Sequence, residues 1–140
     1  MPVVVTGADG PLGAAVVAAF LACGEEIELR ATVRDRAAVA PLVAAGVRTA
    51  VSDLVDPLRL GAVLEGAHTV VHLDDPAGTW ELLLDAAEDT GVRRLVTVLP
   101  PGAAAPDAGP YELVVLRDAP DAPDAALVAA VLAADRRRVG

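Results

Sequence analysis

The chain is 140 residues long, 54% hydrophobic and only 2% aromatic. That is enough to bury one core and too little for two, so a single domain over residues 1–140 is expected, its core built from Val, Leu, Ile and Ala. Eleven basic residues against twenty acidic ones leave a net charge of −9, which opposes binding to nucleic acid and to an anionic membrane surface.

All eleven basic residues are arginines, and lysine, asparagine and glutamine are absent, a bias that points to a GC-rich bacterial genome. The longest apolar run, Ala14 to Cys23, is about half of the ~20 residues that a membrane span needs. No basic stretch precedes it as in a signal peptide, so a cytoplasmic location is expected. Cys23 lies on an apolar helical face with no nearby histidine and reads as a buried small hydrophobe.

Pro2 to Thr6 is a short β-branched run that ends at glycine, as suits a strand buried on both faces. A helix follows from Pro11 to Cys23, with proline in its first turn, where the missing N–H costs little, and Gly24 as its stop. Ile27 to Val33 predicts a second strand, Arg36 to Ala45 a helix closed by Gly46, and Val47 to Val51 a third strand. The pattern continues with a helix from Pro57 to Leu64, a strand at Thr69 to Leu73, a helix from Gly78 to Thr90, and a strand at Arg94 to Leu99. Strict alternation with short connections predicts a parallel sheet covered on both faces by helices in right-handed crossovers.

After Leu99 the rhythm breaks. The stretch PPGAAAPDAGP is too rich in Pro and Gly for a good helix. Tyr111 to Leu116 then predicts a sixth strand and Asp124 to Arg138 a last helix, so the helix between strands five and six is missing.

TGADGPLG joins the first strand to the first helix. A diphosphate needs backbone N–H groups aimed at it and no side chains in the way. Gly7 permits the tight turn, Gly10 lets the backbone approach, and Gly13 lets the helix pack close to the strand. A turn that is glycine-rich for steric reasons alone is the plain alternative.

The same stretch resembles the TGxxGxxG cofactor loop of the short-chain dehydrogenase/reductase superfamily, in its extended (epimerase/dehydratase) and atypical NmrA-like branches. ATVRDRAAV is similar to the end of their second strand. VSDLVDPLRLGAVLEGAHTVVHL and GTWELLLDAAEDTGVRRLVTV are similar to the elements that follow it. The resemblance puts Gly7, Asp9, Gly10, Pro11, Leu12 and Gly13 around the pyrophosphate of a dinucleotide. It implies that Asp53 accepts from the adenine amino group with the Leu54 backbone beside it, and that His72 ends its strand near the cofactor crevice. On the residues alone, Asp53 also reads as a turn or cap, Leu54 as core and His72 as structural.

Many NAD-preferring relatives place an acid after the second strand. Here Arg34 and Arg36 stand there, and a guanidinium pairs with a 2′-phosphate, so NADP is favoured over NAD. Asp35 keeps that preference open, and two surface arginines at a helix start are the alternative.

The superfamily's redox members use a tyrosine with a lysine four residues on. This chain has no lysine, its single tyrosine, Tyr111, is followed at that spacing by Val115, and Leu99-Pro100-Pro101 stands where relatives place serines. The substrate-binding segment of the extended branch is also missing from the expected pattern. No catalytic residue is assigned. No metal site is assigned either, since His68 and His72 stand about 13 Å apart along a strand. Asp74-Asp75 reads as a turn and helix cap, Asp118, Asp121 and Asp124 as caps, and Arg136 to Arg138 as charge complementing a helix C-terminus.

The sequence therefore predicts a minimal Rossmann-type three-layer α/β/α domain, its mostly parallel sheet in order 3-2-1-4-5-6. An antiparallel sixth strand is the alternative. The missing helix is expected to leave the sheet face near strands five and six open to a homodimer or a protein partner. The leading function is an NAD(P)-binding module, nucleotide-responsive or partner-binding, without ordinary redox activity. The alternatives are an oxidoreductase or epimerase-like enzyme completed by a partner chain or unusual residues, and a structural remnant that binds no nucleotide.

Overall fold

A computed structural model describes residues 2–23, 27–118 and 124–136, without the side chain of Arg136. The elements alternate as β1 (Val3–Thr6), α1 (Pro11–Ala22), β2 (Leu29–Val33), α2 (Val39–Ala44), β3 (Arg48–Val51), α3 (Pro57–Leu64), β4 (Thr69–His72), α4 (Pro76–Ala87), β5 (Arg94–Leu99), β6 (Glu112–Arg117) and α5 (Ala125–Arg136). They build one sheet in the order β3-β2-β1-β4-β5-β6. Every pair is parallel, including β5 with β6, where Leu95 faces Leu113 and Leu99 faces Arg117. The antiparallel alternative for the sixth strand is excluded.

All four residues of β1 and of β4 are buried, as their near-continuous Val and Thr content requires of central strands covered on both sides. On one face Val3, Val5, Val71, Val96 and Val98 pack against Val16, Val17 and Phe20 of α1 and Leu127 and Val131 of α5. On the other Val4, Val70 and Leu95 pack against Leu60 and Leu64 of α3 and Trp80 and Leu83 of α4. Most boundaries fall within two residues of expectation. The helix expected over 36–45 instead opens as a 3-10 turn, Arg36–Ala38, and becomes helical at Val39. Pro41 then lies in the first turn of α2, where an absent N–H breaks no hydrogen bond.

The segment from Pro100 to Pro110 forms no helix, yet it does not leave the sheet bare. Its Asp107 carbonyl accepts from Trp80 Nε1 at 3.0 Å, and Ala108 is buried among Trp80, Leu95 and Leu113. Every residue of β5 is buried and β6 is largely half-buried. The expected open face near strands five and six is thus corrected. The exposed large apolar side chains are Leu21, Val43, Val55 and Leu58, on other parts of the surface.

Arg94, 1% exposed, donates from Nε to Glu112 at 3.0 Å and from Nη1 to the carbonyls of Ala134 and Asp135 at 3.0 and 2.6 Å. One guanidinium thus ties β5, β6 and the end of α5 together. Asp124 caps α5 through the N–H groups of Ala126 and Leu127, as expected. Asp118 sits in the bend after β6, where its N–H donates to the Leu99 carbonyl. The roles expected of Gly24, Asp121, Arg137, Arg138 and the Arg136 side chain lie outside the described residues. Cys23 is half-buried rather than buried, with its thiol donating to the Phe20 carbonyl at 2.9 Å. Among the described residues no helix is long and apolar enough to cross a membrane.

Candidate functional site

The glycine turn sits where β1 meets α1, at the carboxyl ends of the strands. Gly7 has φ +70°, and a Cβ there would lie 3.0 Å from the Asp74 backbone nitrogen. At Gly13 a Cβ would lie 2.0 Å from the Gly7 carbonyl oxygen, so only glycine lets α1 approach β1 this closely. Gly10 donates its N–H to Gly7 at 3.0 Å and occupies the N-cap of α1 without any side-chain cap. Pro11 has no N–H, and the first-turn N–H groups of Leu12 and Gly13 are left without a side-chain acceptor. Gly7, Gly10, Pro11, Leu12 and Gly13, with Leu73, Asp75 and Pro76, line a cleft of about 300 Å³. A helix N-terminus with free N–H groups, facing a cleft that Cβ atoms would narrow, fits a diphosphate.

The rim of this cleft is charged. Asp9 points to the neighbouring strand end, where its Oδ2 accepts from the N–H groups of Arg34 and Asp35 at 3.0 and 2.9 Å. Arg34 reaches across the end of β1, donating from Nε to Asp74 Oδ1 and Oδ2 at 2.8 and 3.0 Å. Burial pushes the Asp74 carboxyl above its ordinary value, and Arg34 opposes that rise. Asp75 occupies the N-cap of α4 with φ +43° but makes no side-chain cap, so the expected Asp74-Asp75 cap is corrected: one acid pairs with Arg34 and the other turns the chain. Arg36 is exposed in the 3-10 turn. Asp53 is exposed after β3 and accepts from Val55 N–H at 3.1 Å, while Leu54, at φ +70°, is fully buried and donates its N–H to Ser52 Oγ at 3.0 Å.

His72 lies beneath the cleft, not on it. It is fully buried, with Nδ1 2.8 Å from Thr6 Oγ1 and Nε2 2.7 Å from Thr79 Oγ1. Thr79 donates its own proton to the Asp74 carbonyl at 2.7 Å, so it accepts from His72 Nε2–H. That leaves Nδ1 to accept from the Thr6 hydroxyl, whose oxygen accepts the N–H groups of Leu73 and Asp74. Burial lowers the imidazole pKa from 6.5 to about 3, which keeps it neutral. The relay locks the β4–α4 turn against the end of β1. Sequence reasoning missed Thr6 and Thr79, because the partners of His72 lie 66 residues before it and 7 after it.

Tyr111 precedes β6 and therefore sits at the amino end of the parallel sheet, opposite the cleft. Burial raises its phenol pKa, with Glu88 and Asp89 adding to the rise. A larger groove of about 510 Å³ lies along the β3 edge, lined by Arg30, Arg48, Arg59 and Glu65 among others. Its most buried guanidinium, Arg30, is already bonded to Glu28 and to the carbonyls of Val63 and Glu65. The smaller cleft carries the glycine turn and the free N–H groups, so its chemistry is the more telling.

The profile of an NAD(P)H-binding family matches residues 7–136, nearly the whole chain. The chain belongs to that family. This NAD(P)H-binding protein is 35% identical over 112 residues to the sterol demethylase protein B of Methylococcus capsulatus, covering 69% of this chain and 33% of that protein. Among solved structures it resembles a Citrobacter triphenylmethane reductase complexed with NADP(H), at 25% identity and TM-score 0.57, covering 69% of this chain and 36% of that one. A Rossmann-fold NAD(P)-binding family protein from Shigella flexneri matches at 22% identity and TM-score 0.65, covering 83% and 66%. The chain thus spans about a third of the curated relative and from a third to two thirds of these structures.

Proposed function

We propose that this chain holds NADP(H) on its glycine turn and works as a nucleotide-responsive or partner-binding module in the cytoplasm, without ordinary redox turnover of its own. The observation that carries the reading is the make-up of the cleft. It has a bare helix N-terminus for a diphosphate, while the buried polar groups beneath it, Thr6, His72 and Thr79, are consumed in holding one another. Gly7, Gly10, Leu12 and Gly13 would hold the diphosphate. Asp53 and the Leu54 backbone would flank the adenine, and Arg34 with Arg36 would meet the 2′-phosphate. Bound there, the dinucleotide supplies a hydride donor or acceptor. The chain's own groups supply binding and orientation. Exposed large apolar side chains, Leu21, Val43, Val55 and Leu58, offer surface to a partner or second copy.

A second reading is favoured by the span of the relatives: groups outside this domain complete an oxidoreductase, as the reductase among the structural matches suggests. Calorimetric titration with NADPH, NADP, NADH and NAD, followed by NADPH consumption with quinone and carbonyl acceptors, separates the readings. Binding without turnover supports the module, binding with turnover the enzyme. Absence of binding to all four nucleotides overturns both.

A further inference from the structure

Arg34 is bonded to Asp74 only through Nε; its terminal nitrogens, Nη1 and Nη2, have no polar partner among the described residues. Its backbone is fixed separately, by Asp9. Asp74 is itself held from below, because its N–H and carbonyl belong to the relay through Thr6, His72 and Thr79. The side chain of Arg34 is half exposed and that of Asp74 is 9% exposed, so the carboxylate is the fixed member of the pair and the guanidinium faces solvent.

We infer that Asp74 is a positioning residue for dinucleotide specificity: it anchors Arg34 through Nε and presents the Nη fork to the 2′-phosphate of NADP. This rests on the reading of the cleft as an NADP(H) site. A guanidinium binds phosphate best when two parallel N–H groups are presented together. An unanchored arginine must lose much of its rotamer freedom to do that, and an anchored one has already lost it. Asp74 also brings negative charge near the phosphate, but at a half-exposed guanidinium that repulsion is screened by water, whereas the ordering cost is not. Asp9 and Asp75 add further negative charge around Asp74, so an Arg34 that swings away leaves a site hostile to a 2′-phosphate.

The test is the ratio of Kd for NADH to Kd for NADPH, because a merely structural defect weakens both nucleotides in parallel and leaves the ratio alone. Wild type is expected to prefer NADPH. Asp74→Ala and Arg34→Lys should each lower that preference by roughly tenfold, equivalent to about 1.4 kcal/mol. Combining them should cost no more than Arg34→Lys alone, since the anchor acts only through the guanidinium. Asp74→Asn, which keeps the shape and one acceptor for Nε, should retain part of the preference and serves where the alanine variant does not fold. A ratio unchanged or raised in Asp74→Ala and Asp74→Asn, but lowered in Arg34→Lys, overturns the positioning role and leaves the NADP site standing. A wild type without preference for NADPH overturns the NADP reading, and the positioning role with it.

Discussion

Gly13 carries the tightest steric demand in the site. A methyl group there would meet the Gly7 carbonyl at 2.0 Å and its carbon at 2.7 Å, both backbone atoms that cannot rotate aside. Gly13→Ala should therefore destabilise the fold by about 1–3 kcal/mol in urea denaturation and abolish nucleotide binding, because α1 must back away from the turn. His72 makes a different demand. Its imidazole pKa is about 3 when folded against 6.5 when free, so below pH 6.5 the unfolded chain takes up a proton that the folded chain refuses. Stability should fall as pH drops from 6.5 towards 3, by about 1.4 kcal/mol per unit at most. Asp74, raised by burial, works the other way at the acid end. Comparison with His72→Gln isolates the histidine: the variant is weaker at pH 7 but its urea midpoint should change less between pH 6.5 and 4.5. The glycines were legible in the sequence because a turn between strand and helix is a local event. The role of His72 was not, since Thr6 reaches it only through the pairing of β1 with β4.

The ends of β2 and β4 flank β1, and the strand order alone implies that residues just past them meet across it. Arg34 and Asp74 do so, and were readable as a pair only by combining topology with position. The segment after β5 was harder to read, because a loop that packs through one carbonyl and one alanine has no periodicity. Trp80→Phe should remove the donor to the Asp107 carbonyl and cost about 1 kcal/mol, with faster hydrogen exchange over residues 100–110 as the accompanying sign. At the amino end of β5 and β6, Arg94 replaces local capping with a long-range tie to α5. Arg94→Met strands Glu112 and two helix-terminal carbonyls, an expected loss of about 3 kcal/mol, and α5 should be the first element to lose amide protection.

The charge of the whole chain sets how a dinucleotide arrives. A protein at −9 repels NADPH at long range, and the guanidinium proposed to receive it is paired with Asp74, around which Asp9 and Asp75 add further negative charge. Attraction is confined to contact distance, at the helix N-terminus and Arg34, whereas repulsion reaches out to the Debye length, about 8–10 Å at physiological salt and about 30 Å at about 0.01 M. The two respond to salt in opposite ways. Raising ionic strength from low values should speed association, by relieving repulsion, and also speed dissociation, by weakening the Arg34 contact. A ligand steered by complementary charge would instead associate more slowly. The single tryptophan, its ring 6.0 Å from His72 and on the helix that borders the cleft, offers the signal. Stopped-flow quenching of Trp80 by NADPH across a salt series should show the association rate rising. A falling rate would place the entry site on a basic surface instead, for which the Arg30, Arg48 and Arg59 groove is the available choice.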